Sequence, residues 1–404
     1  MLQREGVIME NTNNQYKNTV LIAVIILLVG ASITLHQFKI PTIMPQLMSD
    51  LSMNANTAAW TMSIFTLIGV FLAIPTGGLV DKLSGKKVMG LAVVFAAIGS
   101  VMGGMASDPT LLLISRAIEG IGFVFVAVAA PIAIRENCNP AQLGRAMGFW
   151  GGYVALGQIV AFNLTGILYN AIGWNNIWFV YAAVTALLGV IAMFTLGSPD
   201  KSAQKVEVAQ AQEKVGLGSV ITNKNLLYAC ISFALFNLLV LATMGFLPVY
   251  LITSKIMSPV QASFLATVPM ICCVFCAPIA GRFAENIGFK KIYLVALAAA
   301  GIGTVLCFQT SITAIWIGAF LWGILGFNAP AVLIGSIGQF VDPKEIGIAQ
   351  GLCMALQNCG MFLGTALFIP ILTSVGDSYT TTAMVMAIPA MIIAIITGAL
   401  AKFR

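Results

Sequence analysis

Charge is what this chain has least of. Only 8% of its 404 residues are Asp, Glu, Lys or Arg, against roughly 25% in a soluble domain. A chain so poor in charge cannot clothe a water-facing surface, which excludes a soluble globular fold. It has a single histidine, His36, so histidine-rich metal sites and catalytic sets are excluded. No nucleophile elbow and no His/carboxylate metal spacing occurs, and neither a metal nor a cofactor is expected. "SGKK" at 84–87 is not a phosphate loop: Val80 stands where the first Gly is required and Lys87 where Ser or Thr is. ATP coupling would therefore need another subunit. The formal charge of +6 is scattered along the chain, and no nucleic-acid partner is expected. Eight cysteines are present. Seven lie in apolar runs and Cys138 at the edge of one, which is not a disulfide framework; Cys272, Cys273 and Cys276 are read as small packing residues.

What the chain has is apolar length, with 59% of its residues hydrophobic. About 20 such residues cross the ~30 Å hydrocarbon core of a bilayer as a helix, and backbone groups in lipid favour helices. The runs predict an all-α integral membrane protein with twelve spans at 20–48, 57–80, 87–106, 110–134, 143–169, 175–197, 225–252, 259–283, 289–308, 312–339, 346–373 and 379–401. Pro41, Pro45, Pro248 and Pro269 fall inside them and predict kinks. The run after Lys17 is too long for a signal-peptide core and no small-residue cleavage site follows, so it is expected to remain as the first span, with Met9 a possible start.

An even number of spans puts both termini on one side. If that side is the cytoplasm, 17 of the 20 Lys and Arg residues fall in internal segments, a strong positive-inside asymmetry. A polar stretch separates two halves. The expected organisation is an N-terminal tail at 1–19, a six-helix bundle at 20–197, a cytoplasmic linker at 198–224 and a second bundle at 225–404. "GGLVDKLSGKK" (77–87), between spans two and three, recurs as "GRFAENIGFKK" (281–291) between spans eight and nine. Gly77, Asp81, Ser84, Lys86 and Lys87 match Gly281, Glu285, Gly288, Lys290 and Lys291 at an offset of 204. "NPAQLGRAMG" (139–148) answers "DPKEIGIAQG" (342–351) at 203. Two matches at nearly one offset read as an internal duplication, the mark of many secondary transporters.

With Asp81, Lys82, Lys86 and Lys87 after its second span, the chain resembles the major facilitator superfamily. Ser84 departs from the second Gly of that family's loop motif. "RAIEGIG" (116–122) in span four and "SPD" (198–200) after span six also resemble family patterns. The resemblance implies two six-helix bundles, alternating access, and a central cavity lined by spans one, four, seven and ten. It also implies that the 77–87 loop is a cytoplasmic gate element, with Asp81 pairing with bases at span ends; Arg135 and Arg145 are the candidates. The Gly-Pro signature usual in span five of drug/proton antiporters is missing from "GFWGGYVALGQIVAFNLTG". "QFKIP" in span one loosely resembles branches that carry cyanate, nitrate-like ions or monocarboxylates. The Asn-Leu-Thr sequon at 163–165 lies within span five and is discounted.

Charge inside a span is costly and marks a functional hypothesis. His36 and Lys39 share a face of span one with Ser32. In span four, Arg116 and Glu119 lie about 9 and 13 Å from the end near Thr110, at 1.5 Å per residue, depths that overlap those of Lys39 and His36. The second half offers amides instead: Asn237, Asn328, Gln357 and Asn358. Two readings stand. In one, Arg116 pairs locally with Glu119, Lys39 snorkels and His36 is a neutral contact. In the other, Lys39, His36 and Arg116 meet a small anion, the amides bind its far end, and Tyr153, with Trp60, Trp150 and Trp322, shapes the cavity. Glu119 or His36 then takes a co-transported proton. The expected activity is proton-coupled transport of a small organic or inorganic anion across the cytoplasmic membrane by a functional monomer. Efflux of amphipathic drug-like compounds is the alternative; a channel or membrane enzyme is the rival from another class.

Overall fold

In the computed structural model, the described residues are 18–197, 220–342 and 345–403. The tail at 1–17, most of the 198–224 linker with its Ser-Pro-Asp start, Lys344 and Arg404 lie outside them, as do the side chains of Asp81, Gly281 and Glu285. Among the described residues every regular element is helical.

Eleven helical segments are long and apolar enough to cross a membrane. The longest, Pro140–Thr195, holds two crossings. Its continuous part, Tyr153–Thr195, breaks at Gly173, where φ is +75°, a left-handed conformation that a residue without Cβ adopts at little cost. The total is the twelve crossings expected.

The first span is shorter than its apolar run. Asn18 caps its start by accepting from Val20 N, and the helix runs Thr19–Phe38. Lys39 is the C-cap residue. Pro41 explains the stop, because its ring has no N–H to donate and clashes with the carbonyl one turn back. A separate short helix, Met44–Asp50, follows with Pro45 in its first turn. The kinks expected at Pro41 and Pro45 are thus a helix end and a helix start. The second and fourth spans extend past their apolar runs, as Ala55–Leu83 and Pro109–Asn137. Pro248 sits within the continuous helix Lys224–Thr253. The tenth span is interrupted: Ile312–Leu321 gives way to a π-helical turn at Trp322–Gly326 and then to Asn328–Ser336.

The duplication read from the loop motifs is also present in the packing. A Cβ on Gly157 of span five would stand 2.6 Å from the Ala31 carbonyl oxygen of span one. A Cβ on Gly360 of span eleven would collide with the Ala234 carbonyl oxygen of span seven. Both pairs are related by an offset of 203. Small residues at these points let backbones approach, the usual way helices associate where water supplies no driving force.

The two halves touch through span two against span eleven, and through Tyr153–Thr195 against Pro259–Ile287. Near the start of span two, Ser63 Oγ lies 2.7 Å from Thr365 Oγ1 and Trp60 packs on Phe362, ring centres 5.8 Å apart. A Cβ on Gly69, further along, would meet the Asn358 carboxamide at 2.5 Å.

The loop motif caps its own bundle. Lys86 Nζ donates to the Leu196 carbonyl at the end of span six, at 2.6 Å. Its twin Lys290 donates to the Ala399 carbonyl at the end of span twelve. Helix C-termini carry unpaired carbonyls and partial negative charge, so a lysine there is favourable. Glu136 at the end of span four accepts from Gly85 N through both oxygens, each at 3.1 Å. Lys82, Lys87, Arg135, Arg145 and Lys291 are exposed. Pairing of Asp81 with Arg135 or Arg145 lies outside the described side chains. Ser84 adopts φ +86° and its counterpart Gly288 φ +103°, so the serine occupies a conformation suited to glycine.

Candidate functional site

The four ionisable groups predicted within spans one and four come together, and all four are fully buried. Lys39 Nζ lies 2.6 Å from Glu119 Oε1. Arg116 Nη1 donates to Glu119 Oε2. His36 Nδ1 stands 3.2 Å from Glu119 Oε1 and 3.3 Å from Lys39 Nζ. One carboxylate therefore faces three bases. With His36 neutral, the cluster carries one net positive charge.

The helix geometry explains the meeting. Residues three apart share a face, so His36 and Lys39 point together from span one, as do Arg116 and Glu119 from span four. Gly99 of span three makes room for them: a Cβ there would stand 2.7 Å from Glu119 N and 2.8 Å from Glu119 Cγ.

Each base has further partners. Arg116 Nε donates to the Thr61 carbonyl of span two at 3.0 Å, and Nη1 to the His36 carbonyl at 2.5 Å. The guanidinium lies over the Phe65 ring, 4.5 Å from its centre. Lys39 Nζ donates to Ser100 Oγ at 3.2 Å, and Ser100 donates to the Trp178 carbonyl at 2.7 Å. The ammonium also sits 4.0 Å from the Trp178 ring centre, a cation–π contact strengthened by desolvation. His36 Nε2 lies 3.0 Å from Thr185 Oγ1, which in turn donates to the Ser32 carbonyl at 3.4 Å.

Sequence reasoning missed Ser100, Thr185, Trp178 and Phe65, since hydroxyls and aromatics are scattered through every span. Ser32 takes part through its carbonyl, while its own hydroxyl donates back to Val29 O. Lys39 does not snorkel away, and Arg116 with Glu119 is no isolated pair. All the partners named above belong to the first half of the chain.

The second half holds a neutral network at matching positions. Thr243 Oγ1 lies 2.9 Å from Thr304 Oγ1, and Trp322 Nε1 donates to Thr304 Oγ1 at 3.3 Å. Thr243 and Thr304 correspond to Lys39 and Ser100 at the offset of 204, and Trp322 to Glu119 at 203. The predicted amides of this half do not join the charged cluster. Asn237, Asn328 and Asn358 each donate through Nδ2 to the carbonyl four residues back, at 2.7–2.9 Å. Each of these bonds uses one of the two amide hydrogens, and the oxygen of Asn328, whose nitrogen also donates to the Leu325 carbonyl, is buried without a partner. Asn237 and Asn328 are buried; Gln357 and Asn358 are half-buried. Tyr153 stacks on Trp150 with centres 3.9 Å apart, both against Gly30.

Twelve crossings built as a tandem repeat, with a buried charged cluster among the described residues, have the form of a polytopic carrier. The Major Facilitator Superfamily profile matches residues 20–258 and 242–403, and the chain belongs to that superfamily. It is 23% identical to the riboflavin transporter RibZ of Clostridioides difficile (strain 630), over 80% of this chain and 82% of that protein. It is 24% identical to the probable nitrate transporter NarT of Staphylococcus haemolyticus (strain JCSC1435), over 84% and 86%. It is 23% identical to multidrug resistance protein 3 of Bacillus subtilis (strain 168), over 83% and 76%. The fold matches the crystal structure of the nucleoside transporter NupG with a TM-score of 0.75 at 16% identity, covering 95% of this chain and 100% of that one. The protein is a multi-pass membrane transporter of a small solute.

Proposed function

We propose that this transporter moves a small anion together with a proton, by alternating access across the cytoplasmic membrane. It works as a monomer with both termini in the cytoplasm, its bundles spanning 20–197 and 225–404 and joined by the 198–224 linker. The observation that carries the reading is the net positive charge of the buried Lys39–Arg116–Glu119 cluster, in which Arg116 Nη2 has no hydrogen-bond partner. A desolvated positive site with a donor to spare favours an anion. The name of the nitrate transporter among its relatives agrees with this.

Glu119 and His36 are the candidates for the proton, and the geometry favours His36. Its Nδ1 has an acceptor at 3.2 Å and a donor at 3.3 Å. With a proton on Nδ1 it donates to Glu119; without one it accepts from Lys39. In both states Nε2 keeps its hydrogen and donates to Thr185 Oγ1, whose own hydrogen goes to the Ser32 carbonyl. Efflux of cationic amphipaths, suggested by the multidrug relative, calls for an unpaired acid, and Glu119 is already held by two cations.

Uptake into proteoliposomes tests the reading. Lys39→Gln is expected to abolish uptake of an anion that the native protein carries, with insertion intact; unchanged uptake overturns the role of Lys39 in holding the anion, and a native protein that carries no anion of a panel overturns the anion assignment. His36→Gln is expected to lose gradient-driven accumulation and keep counterflow. Accumulation that persists moves the proton to Glu119.

A further inference from the structure

Among the described residues, eight buried side-chain atoms lack a hydrogen-bond partner. Four of them, on three residues, belong to the last turn of span one or to helices packed against it: Arg116 Nη2, Gln37 Nε2, Gln158 Nε2 and Gln158 Oε1. Buried polar groups are nearly always paired, and each exception calls for an explanation. Gln158 is the most exceptional of the three, because it is fully buried and neither end of its amide is satisfied.

The contacts on either side set these residues at one level of the fold. Arg116 Nη1 donates to the His36 carbonyl at 2.5 Å, so the second nitrogen of the same planar group lies beside the peptide joining His36 to Gln37. Gln37 and Gln158 are bracketed by the same two contacts between spans one and five. Below them, a Cβ on Gly157 would stand 2.5 Å from Thr34 Cβ. Above them, Phe38 packs edge-on against Phe162, ring centres 5.7 Å apart. Thr34 to Phe38 is about one helical turn, ~5.4 Å along the axis, and glutamine side chains on adjacent helices reach across that interval.

The three residues offer three donor nitrogens and one acceptor oxygen, and Arg116 supplies positive charge. Their complement is a solute with several acceptor oxygens, negative charge and a single donor beside them. We infer that Arg116, Gln37 and Gln158 form a binding subsite for a small carboxylate bearing an adjacent hydroxyl, with the carboxylate on Arg116 and Gln37 and the hydroxyl donating to Gln158 Oε1. Gln158 is then the specificity-determining residue. An oxoanion without a donor, such as nitrate, leaves Gln158 Oε1 buried and unpaired. A site built around a donor rejects an analogue that lacks it, because its own polar atom is left unpaired. This rests on the anion reading above and narrows it.

The test is equilibrium binding to the purified full-length protein in detergent, using lactate, propionate and nitrate. Lactate and propionate are both three-carbon carboxylates and differ here by the hydroxyl. The native protein is expected to bind lactate about tenfold more tightly than propionate or nitrate. Gln158→Leu is expected to remove that preference by weakening lactate about tenfold while propionate binding stays the same. Gln37→Leu is expected to weaken all three. The preference is a ratio measured within one protein sample, so a general loss of stability does not imitate its disappearance. Equal binding of the three anions by the native protein overturns the subsite and leaves the anion reading standing. A lactate preference that survives Gln158→Leu does the same. Binding of none of the three overturns both.

Discussion

Lys39 Nζ and Glu119 Oε1 lie 2.6 Å apart, both without solvent exposure, although eighty positions separate them in the chain. The pair ties the end of the first span to the middle of the fourth. Its environment is shared with two further bases, and that asymmetry decides what each substitution does.

Removing the acid is expected to hurt far more than removing the lysine. Glu119→Gln strands Lys39 and Arg116 as buried, uncompensated cations, at a cost of about 3–5 kcal/mol. Lys39→Gln leaves the Arg116–Glu119 pair in place. Thermal unfolding in detergent should show a much larger loss of stability for Glu119→Gln; equal losses would mean that the three groups do not act as one cluster.

Ser84 sits at φ +86° where its repeat partner is a glycine at φ +103°. Ser84→Gly is therefore expected to stabilise the protein by about 1 kcal/mol, and Ser84→Val to destabilise it. A drop in midpoint temperature for Ser84→Gly would show that the serine side chain contributes something the backbone argument lacks.

Lys86 and Lys290 each hold the final carbonyls of their own bundle. Lys86→Met keeps the aliphatic stem and loses the cap, worth about 0.3–1 kcal/mol at such a terminus. Amide exchange around 192–196 should quicken and exchange around 396–400 should not. Lys290→Met should give the reverse pattern.

The Ser63–Thr365 contact joins the two halves, with the hydroxyl oxygens 2.7 Å apart. Replacing both with cysteine places two sulfurs within reach of a bond of about 2.05 Å. Mild oxidation should stop transport and reduction should restore it, if the halves part here in each cycle. Transport that continues with the bond fully formed would locate the moving contact elsewhere.

The sequence made the crossings and the charged residues legible for one reason: in a chain with so little charge, any ionisable group within an apolar run stands out. The helical period then placed His36 with Lys39 and Arg116 with Glu119, and depth alone suggested their meeting. The hydroxyls that complete the cluster carried no such contrast. Ser100 and Thr185 look like any other small polar residue in a span until the fold brings them to Lys39 and His36. The capping role of Lys86 was hidden because its partner, Leu196, is 110 residues away. The end of span one was readable after all in Pro41, although the apolar run continues to residue 48. The neutral network of the second half was the least legible, since Thr243 and Trp322 share no chemistry with Lys39 and Glu119, and only the hydroxyl of Thr304 matches that of Ser100.

That mismatch has a practical use. The same positions are filled twice in one polypeptide, once with two ions and a hydroxyl and once with two hydroxyls and an indole. Every molecule thus contains its own uncharged reference for the geometry of the other half. Moving ionisable residues into the Thr243–Thr304–Trp322 positions, or hydroxyls into their counterparts, would separate what the backbone does from what the charges do, without recourse to a second protein.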